Sequence, residues 1–432
     1  MIQRRDVLLA AGGGWPALSI GNAMGKIQNG LHNESWPQCC FDPQNTGHAP
    51  ENTAPEPPID KRWRYDAVET FTSGPSIANG TVVVSGGSIC AIAAGDGTVQ
   101  WEISDRGGSY STPIIVGDTV LFGWDLGLEG AIRARSIEDG SEQWSVKTPL
   151  PIRSALTVVD DTVYAGSYND DGETGAIFAV SVADGSERWK KAGIGINKSG
   201  LAVDDTAVYA GGKRNVYALS RENGTELWRT HVGDARQSAP AVADGTVYVG
   251  TKDGRLHALS TDSGTEYWST EVCEAIQTSP AVDGSQVYVS GWLGTVASLS
   301  VSDGELKWSR EVDETLLGSP TLVDSTLIVP SSKGVHVYAT DDGTKQWQFD
   351  LGDPIYGPPA VSDGTVYVAT RTSGVYALSH GDPDGLFGVG LFTDPLSIGV
   401  GTGALGLGVG GVYKLLKRDG GTGTDETDSD EG

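Results

Sequence analysis

The chain has 432 residues, of which 56 are Asp or Glu and 30 are Lys or Arg, giving a formal net charge of −26. A balance this acidic excludes nonspecific nucleic-acid binding, because a phosphate backbone would be repelled. It suits a halophilic protein whose surface stays solvated in concentrated salt, with broad cation capture as the other reading.

The first 25 residues, "MIQRRDVLLAAGGGWPALSIGNAMG", set Arg4-Arg5 before an uncharged run from Val7 to Ile20. That run is too short and glycine-rich to span a bilayer well. Residues 1–25 therefore read as a twin-arginine (Tat-type) export signal, with cleavage expected after Ala23 or Gly25. Residues 26–60 form a lead-in segment containing the adjacent Cys39 and Cys40. This pair is a disulfide candidate, with two unpaired thiols as the alternative, and by sequence order it precedes the first repeat and lies outside it. His32, Cys39, Cys40 and His48 are close in sequence. Adjacent cysteines chelate one ion awkwardly and no zinc spacing is met, so no metal site is expected.

Repeats dominate from Trp63 onward. Tryptophans stand at Trp63, Trp101, Trp144, Trp189, Trp228, Trp268, Trp308 and Trp347, with gaps of 38, 43, 45, 39, 40, 40 and 39 residues. Most end a pattern of Ala, Gly six residues later and Trp four beyond, as in "ALSTDSGTEYW" (Ala258, Gly264, Trp268). A period near forty, with apolar alternation inside each unit, is that of a β-propeller blade.

In the unit from Arg236 to Trp268, Ala241–Ala243, "TVYVG", "RLHALS" and the segment around Trp268 read as four strands. Asp-Gly and similar pairs turn between them, because Gly accepts positive φ. The tryptophans are structural: an indole on the outer strand can lie across the seam to the neighbouring blade, with small residues letting it dock. Seven units lie between Trp63 and Trp347. An eighth, Ile355 to His380, has three strands and no tryptophan strand, whereas "KRWRYD" (Lys61 to Asp66) is such a strand without a blade. Pairing them predicts an all-β fold over residues 61–380, an eight-bladed propeller closed by the Trp63 strand.

In such blades the A–B and C–D turns share one face, and the B–C loops and D–A crossings share the other. The first face is monotonous in sequence. The second carries the variation, including the insertions "GWDLGLEGAI" and "SYNDDGETGAI". The acids of the latter, Asn169, Asp170, Asp171 and Glu173 with their amide, match no EF-hand and read as a surface turn, with calcium the other reading. Lys213, Arg214, Lys252, Arg255, Lys333 and Arg371 come from B–C loops. The residues preceding each inner strand should ring the funnel mouth: Thr72, Tyr110, Arg153 and Lys198 from the first four blades, then Gln237, Gln277, Leu317 and Tyr356, with Arg236 beside them. Cations and amides gathered there suggest a site for an anionic or polar partner. The other reading is that these cations balance neighbouring acids on a solvated rim. No nucleophile motif, phosphate loop or clustered histidine indicates catalysis.

After a linker at 381–394, residues 395–413, "PLSIGVGTGALGLGVGGVY", carry no charge and approach the ~20 residues needed to cross a membrane. Lys414, Lys417 and Arg418 would hold that end inside the cell. Residues 414–432 are a basic, then acidic, tail of disordered composition. Both ends describe an exported domain anchored in the cell membrane, with its propeller outside.

The Ala–Gly–Trp pattern resembles the tryptophan-docking motif of quinoprotein-type (PQQ-like) propellers, and "WP…D…NTG" within Trp36 to Pro50 resembles their lead-in. That family includes pyrroloquinoline quinone (PQQ) dehydrogenases and the non-catalytic assembly lipoprotein BamB. The resemblance implies an eight-bladed propeller and two functions. One is a non-catalytic binding or assembly scaffold, for which no cofactor is expected and the loop face takes a protein or an anionic or polar ligand. The other is a PQQ-dependent dehydrogenase, which implies PQQ with calcium and an adjacent-cysteine disulfide over the cofactor. A third reading of the loop face is an extracellular sensor of a polysaccharide or small anion.

Overall fold

In six of the eight blades the repeated alanine stands directly opposite its tryptophan, as Ala91 faces Trp101, Ala179 faces Trp189, Ala218 faces Trp228 and Ala258 faces Trp268, while blade seven has Val337 opposite Trp347. On the alanine's other side, strand B supplies a tyrosine in the same row, as Tyr164 does beside Ala179. Strands B and D lie about 10 Å apart, twice the ~4.8 Å strand spacing. The short alanine leaves a trough over which the two rings meet, with centroids 5.9 Å apart for Tyr164 and Trp189. In blade six Ser298 takes the alanine's place, and Tyr288 meets Trp308 at 6.1 Å.

The repeated glycine serves the neighbouring blade. Trp189 donates its Nε1–H to the Arg221 carbonyl at 2.9 Å and lies on Gly224, where a Cβ would fall 2.5 Å from the indole. Trp228 repeats this on Thr261 and Gly264, and Trp63 on Ala94 and Gly97. Gly224 also sits at φ +70°, a left-handed conformation that glycine adopts without strain.

The computed structural model describes residues 35–67, 69–168, 174–194, 200–372 and 374–381. The export signal at 1–25, the linker at 382–394, the candidate membrane span at 395–413 and the tail at 414–432 lie outside them. Among the described residues, no helix is long and apolar enough to cross a membrane. The strands form eight antiparallel four-stranded blades, A to D from the axis outward. Blade five, for example, comprises Ala241–Ala243, Thr246–Gly250, Arg255–Ser260 and Glu266–Glu271. In blade eight, Ala360–Ser362, Thr365–Thr370 and Gly374–His380 are joined by Ile59–Tyr65, with Trp63 opposite Ala377. The first repeat strand thus shuts the ring.

Ring closure leaves the inner edge of every blade facing the axis, with backbone N–H groups that need acceptors. The lead-in supplies them. Trp36 pairs with Ile77 of blade one through two 2.8 Å bonds, and Pro37 accepts from Ile115 of blade two at 2.9 Å. The Gln38 side chain accepts from Val158 of blade three. The carbonyls of Pro43, Gln44, Thr46 and Gly47 each accept at 2.8 Å from Val203, Val242, Val282 and Leu322, in blades four to seven. His48–Ala49 adds a short parallel strand to blade seven, and Asn52 donates to Val361 of blade eight. Between Trp36 and Asn52 the segment therefore visits all eight blades in order, as a girdle inside the ring. This corrects the reading that placed Cys39 and Cys40 outside the repeats: order along the chain does not determine position about the axis.

The seam gives a paired test. Gly224→Ala adds a left-handed cost of ~1–2 kcal/mol to overpacking of ~1–3 kcal/mol against Trp189. At Gly245, also left-handed, a Cβ would lie 3.9 Å from its nearest neighbour, so Gly245→Ala should cost only the backbone term. Urea denaturation should show the larger loss for Gly224→Ala; equal losses would remove the docking role assigned to the indole.

Candidate functional site

The girdle divides the axial channel and leaves above it a cavity of about 250 Å³ on the side of the B–C loops and D–A crossings. Its wall comes from the residue preceding each inner strand: Thr72, Tyr110, Gln237, Gln277, Leu317 and Tyr356. Side chains two residues apart share a side of an extended chain, so Thr112, Ala155, Gly200, Ser279 and Ser319 form a lower tier beside Cys39. Trp292, from the B–C loop of blade six, completes the mouth.

In blades one, two, three, five and six a Ser or Thr between the two tiers ties the crossing to the end of strand B; blades seven and eight have Gly318 and Gly357 there. Ser73 donates to the Ser85 carbonyl at 2.8 Å, Thr278 donates to Ser290 at 2.8 Å, and the Ser238 hydroxyl accepts from Gly250 at 3.0 Å. The lower tier is tied between blades as well: Ser279 accepts from the Ala239 N–H and Ser319 from the Ser279 N–H. The cavity wall is thus held in part by the hydroxyls of its own serines and threonines.

Three arginines at the mouth are engaged. Arg153 donates to Asp125 at 2.6 Å and lies 5.7 Å from the Tyr110 ring centroid. Arg236 clasps Asp234 with two bonds of 2.8 and 2.7 Å, and this guanidinium holds the carboxyl below its ordinary range. Arg236 borders a recess of about 30 Å³ shared with Gln237, Lys252 and Gln277. Arg371 donates to the Tyr356 hydroxyl at 3.3 Å and stacks on that ring. Lys213 and Arg214 occupy the B–C loop of blade four and do not line the cavity; the Arg214 carbonyl accepts from Val232 and Gly233. Lys198 and the acidic insertion residues 169–173 lie outside the described residues. Among the described lining residues none is charged.

Cys39 and Cys40 belong to this site, which sequence order concealed. Their sulfurs are 3.6 Å apart, well beyond the ~2.05 Å of a disulfide, so the candidate bond is corrected to two free thiols in hydrogen-bond contact. The hydrogen bond from Cys40 lowers Cys39, and the same contact together with burial raises Cys40. Of the two, Cys39, the member lining the cavity, is the easier to deprotonate. Cys90 and Cys273 are also free, pushed by burial to about 12 and about 11. Near the pair, burial pushes Asp42 up to about 6, against hydrogen bonds from Thr46 that act the other way. His48 lies on the girdle, its partner His32 lies outside the described residues, and no group of three or more ligating side chains converges among those described.

The family model described as outer membrane protein assembly factor BamB matches residues 60–215, 212–335 and 331–383. The chain belongs to this family. The match starts at the ring-closing strand and does not include the girdle. Among solved structures, BamB from Moraxella catarrhalis is similar with a TM-score of 0.63 at 16% identity, over 74% of this chain and 97% of that one. Quinohemoprotein alcohol dehydrogenase from Comamonas testosteroni gives 0.69 at 13%, over 84% and 82%. A computationally designed protein, Ika8, gives 0.65 at 15%, over 73% and 98%. At such identities the likeness is one of fold. No curated protein matches the sequence.

PQQ with calcium can be tested against the wall. Calcium takes 6–8 oxygen ligands, with carboxylates prominent among them. The described lining residues offer hydroxyls, amides and backbone carbonyls but no carboxylate, so this donor set does not fit the pair.

Two outcomes follow from the titrating groups. Alkylation with iodoacetamide at neutral pH should label Cys39 well before Cys90; equal rates by peptide mass spectrometry would contradict the open floor. Asp42 is raised, so the folded chain binds its proton more tightly than the unfolded one. Its contribution to girdle stability is full below about 4 and lost as pH rises through about 6. Opening free energies from hydrogen exchange of Val203 and Val242 should fall between pH 5 and 7 and flatten in Asp42→Asn. A pH-independent wild type would reject the linkage.

Proposed function

We propose that this protein is an exported, membrane-tethered scaffold that holds a protein partner on its B–C loop and D–A crossing face. The observation that carries the reading is where large apolar side chains remain exposed. Eight such residues are found among those described. Val99, Leu227, Tyr267 and Leu306 lie singly on outer strands beside the docked tryptophans. The other four share the loop face: Tyr110 at 44%, Leu128 at 90%, Trp292 at 38% and Leu293 at 60% exposure. Leu128 in blade two and Trp292 with Leu293 in blade six stand across the axis from one another, so a partner seated over the mouth would cover both sides. The family and the similarity to BamB support protein binding in general, and the two charge-flanked ends of the chain support export and anchoring.

A dehydrogenase is the second reading, favoured by one feature: Cys39 borders the cavity, as an adjacent-cysteine pair does in the enzymes this chain resembles. The carboxylate-free wall weighs against it. Titration with PQQ and calcium separates the two, since spectral saturation at micromolar concentrations would favour the enzyme.

Cross-linking from the full-length protein in its native membrane tests the scaffold. Leu128→Glu with Leu293→Glu should weaken partner capture by roughly tenfold or more, the effect of losing a 1–2 kcal/mol contact. Leu227→Glu, on an outer strand, should leave capture unchanged. Capture insensitive to the rim pair would reject this face.

A further inference from the structure

We propose that the axial cavity binds the end of a neutral carbohydrate chain. The inference rests on the loop face being a binding surface, and it names a ligand class for the cavity without requiring a protein partner.

The wall carries unmet polar capacity. The Thr72 hydroxyl is buried without a hydrogen-bond partner, while the amides of Gln237, exposed, and Gln277, half-buried, stand open at the mouth. Aromatic rings stand beside these groups: Tyr110, Trp292 and Tyr356. Two rings are fixed from behind, Tyr110 by Arg153 and Tyr356 by Arg371. The backbone of Trp292 is pinned between Ala275 and Leu316. The site is therefore organised before a ligand arrives, which reduces the entropy lost on binding.

Three ligand classes meet this wall differently. A charged ligand would be desolvated with no opposite charge among the described lining residues. A purely apolar ligand would strip water from the Gln237 and Gln277 amides without replacing it, at a cost of ~1–3 kcal/mol for each amide it covers fully. A neutral saccharide presents C–H faces to the rings and hydroxyls to the amides, each amide offering both donors and an acceptor. The girdle closes the floor, so a chain enters by its end and does not thread through. A volume of about 250 Å³ equals about eight waters at ~30 Å³ each, room for about one sugar ring. Uncharged contacts also escape salt screening, which matters for a chain carrying −26.

The test is calorimetric titration of purified protein at low and high salt with maltose, cellobiose, chitobiose and, as the charged control, galacturonate. At least one neutral probe should saturate, with affinity little changed by salt. Gln277→Ala and Trp292→Ala should each weaken it roughly tenfold, the effect of ~1.4 kcal/mol, with unaltered thermal midpoints. No saturation by any neutral probe, binding of galacturonate alone, or affinity untouched by both substitutions would overturn the proposal. Partner capture is read through Leu128 and Leu293, so either result can fail while the other stands.

Discussion

The architecture depends on an indole crossing from one blade to the next. The seven docked tryptophans from Trp63 to Trp308 each meet three things at once: a short residue opposite in the same blade, a glycine beneath in the next, and a carbonyl for the N–H. Ala218, Gly264 and Thr261 provide these for Trp228. Because the requirements fall on two blades, no blade can satisfy its tryptophan alone. The seam is thus specific as well as apolar, and at Trp63 it joins the beginning of the repeats to their end, with Ala377 opposite and Gly97 beneath.

Closing the sheets outward creates a demand inward. Eight inner strands turn their free edges to the axis, and the girdle meets them with one bond or pair of bonds per blade. Its composition follows from that task. Pro37 and Pro43 supply carbonyls without N–H groups that need partners of their own, and Gly47, at φ +63°, lets the path curve where a Cβ would approach Ala281 at 3.2 Å. Trp36 and Ala49 anchor the segment in the core. The same chain that completes the blades' hydrogen bonding also stops the channel, converting a tunnel into a cup.

Blade number, strand order and the ring-closing partner were legible because period-two alternation and the spacing of eight tryptophans repeat a local rule. The girdle was not. It has no periodicity, and its partners lie up to 309 residues away, as with Asn52 and Val361. Cys39 was accordingly placed by chain order, although it lies beside Thr112 and Ser279. One signal was available: Trp36 and Phe41 stand before "NTG" in a segment too short to bury them by itself. Wall residues could be located from the Ser-x-Pro-like starts, which each inner strand carries in some variant. Their character could not be assigned, because whether Arg153 or Arg236 faces the cavity or an acid depends on Asp125 and Asp234, and both acids hold their arginines.

The acidic balance resolves into two different roles. On the A–B and C–D side, acids recur at fixed turn positions, and Asp96, Asp139, Asp184, Asp303 and Asp342 each accept the backbone N–H two residues on. Those hydrogen bonds, supplied with hydroxyls at several turns, keep the carboxyls below their ordinary range. One residue thus shapes the turn and contributes charge to the surface, so a strongly acidic composition here requires no acidic binding site. On the other side, Asp125 and Asp234 hold Arg153 and Arg236 beside a cavity whose described lining residues include no Asp, Glu, Lys or Arg. The acids thus do separate work on the two faces: they shape turns on one and fix arginine side chains on the other.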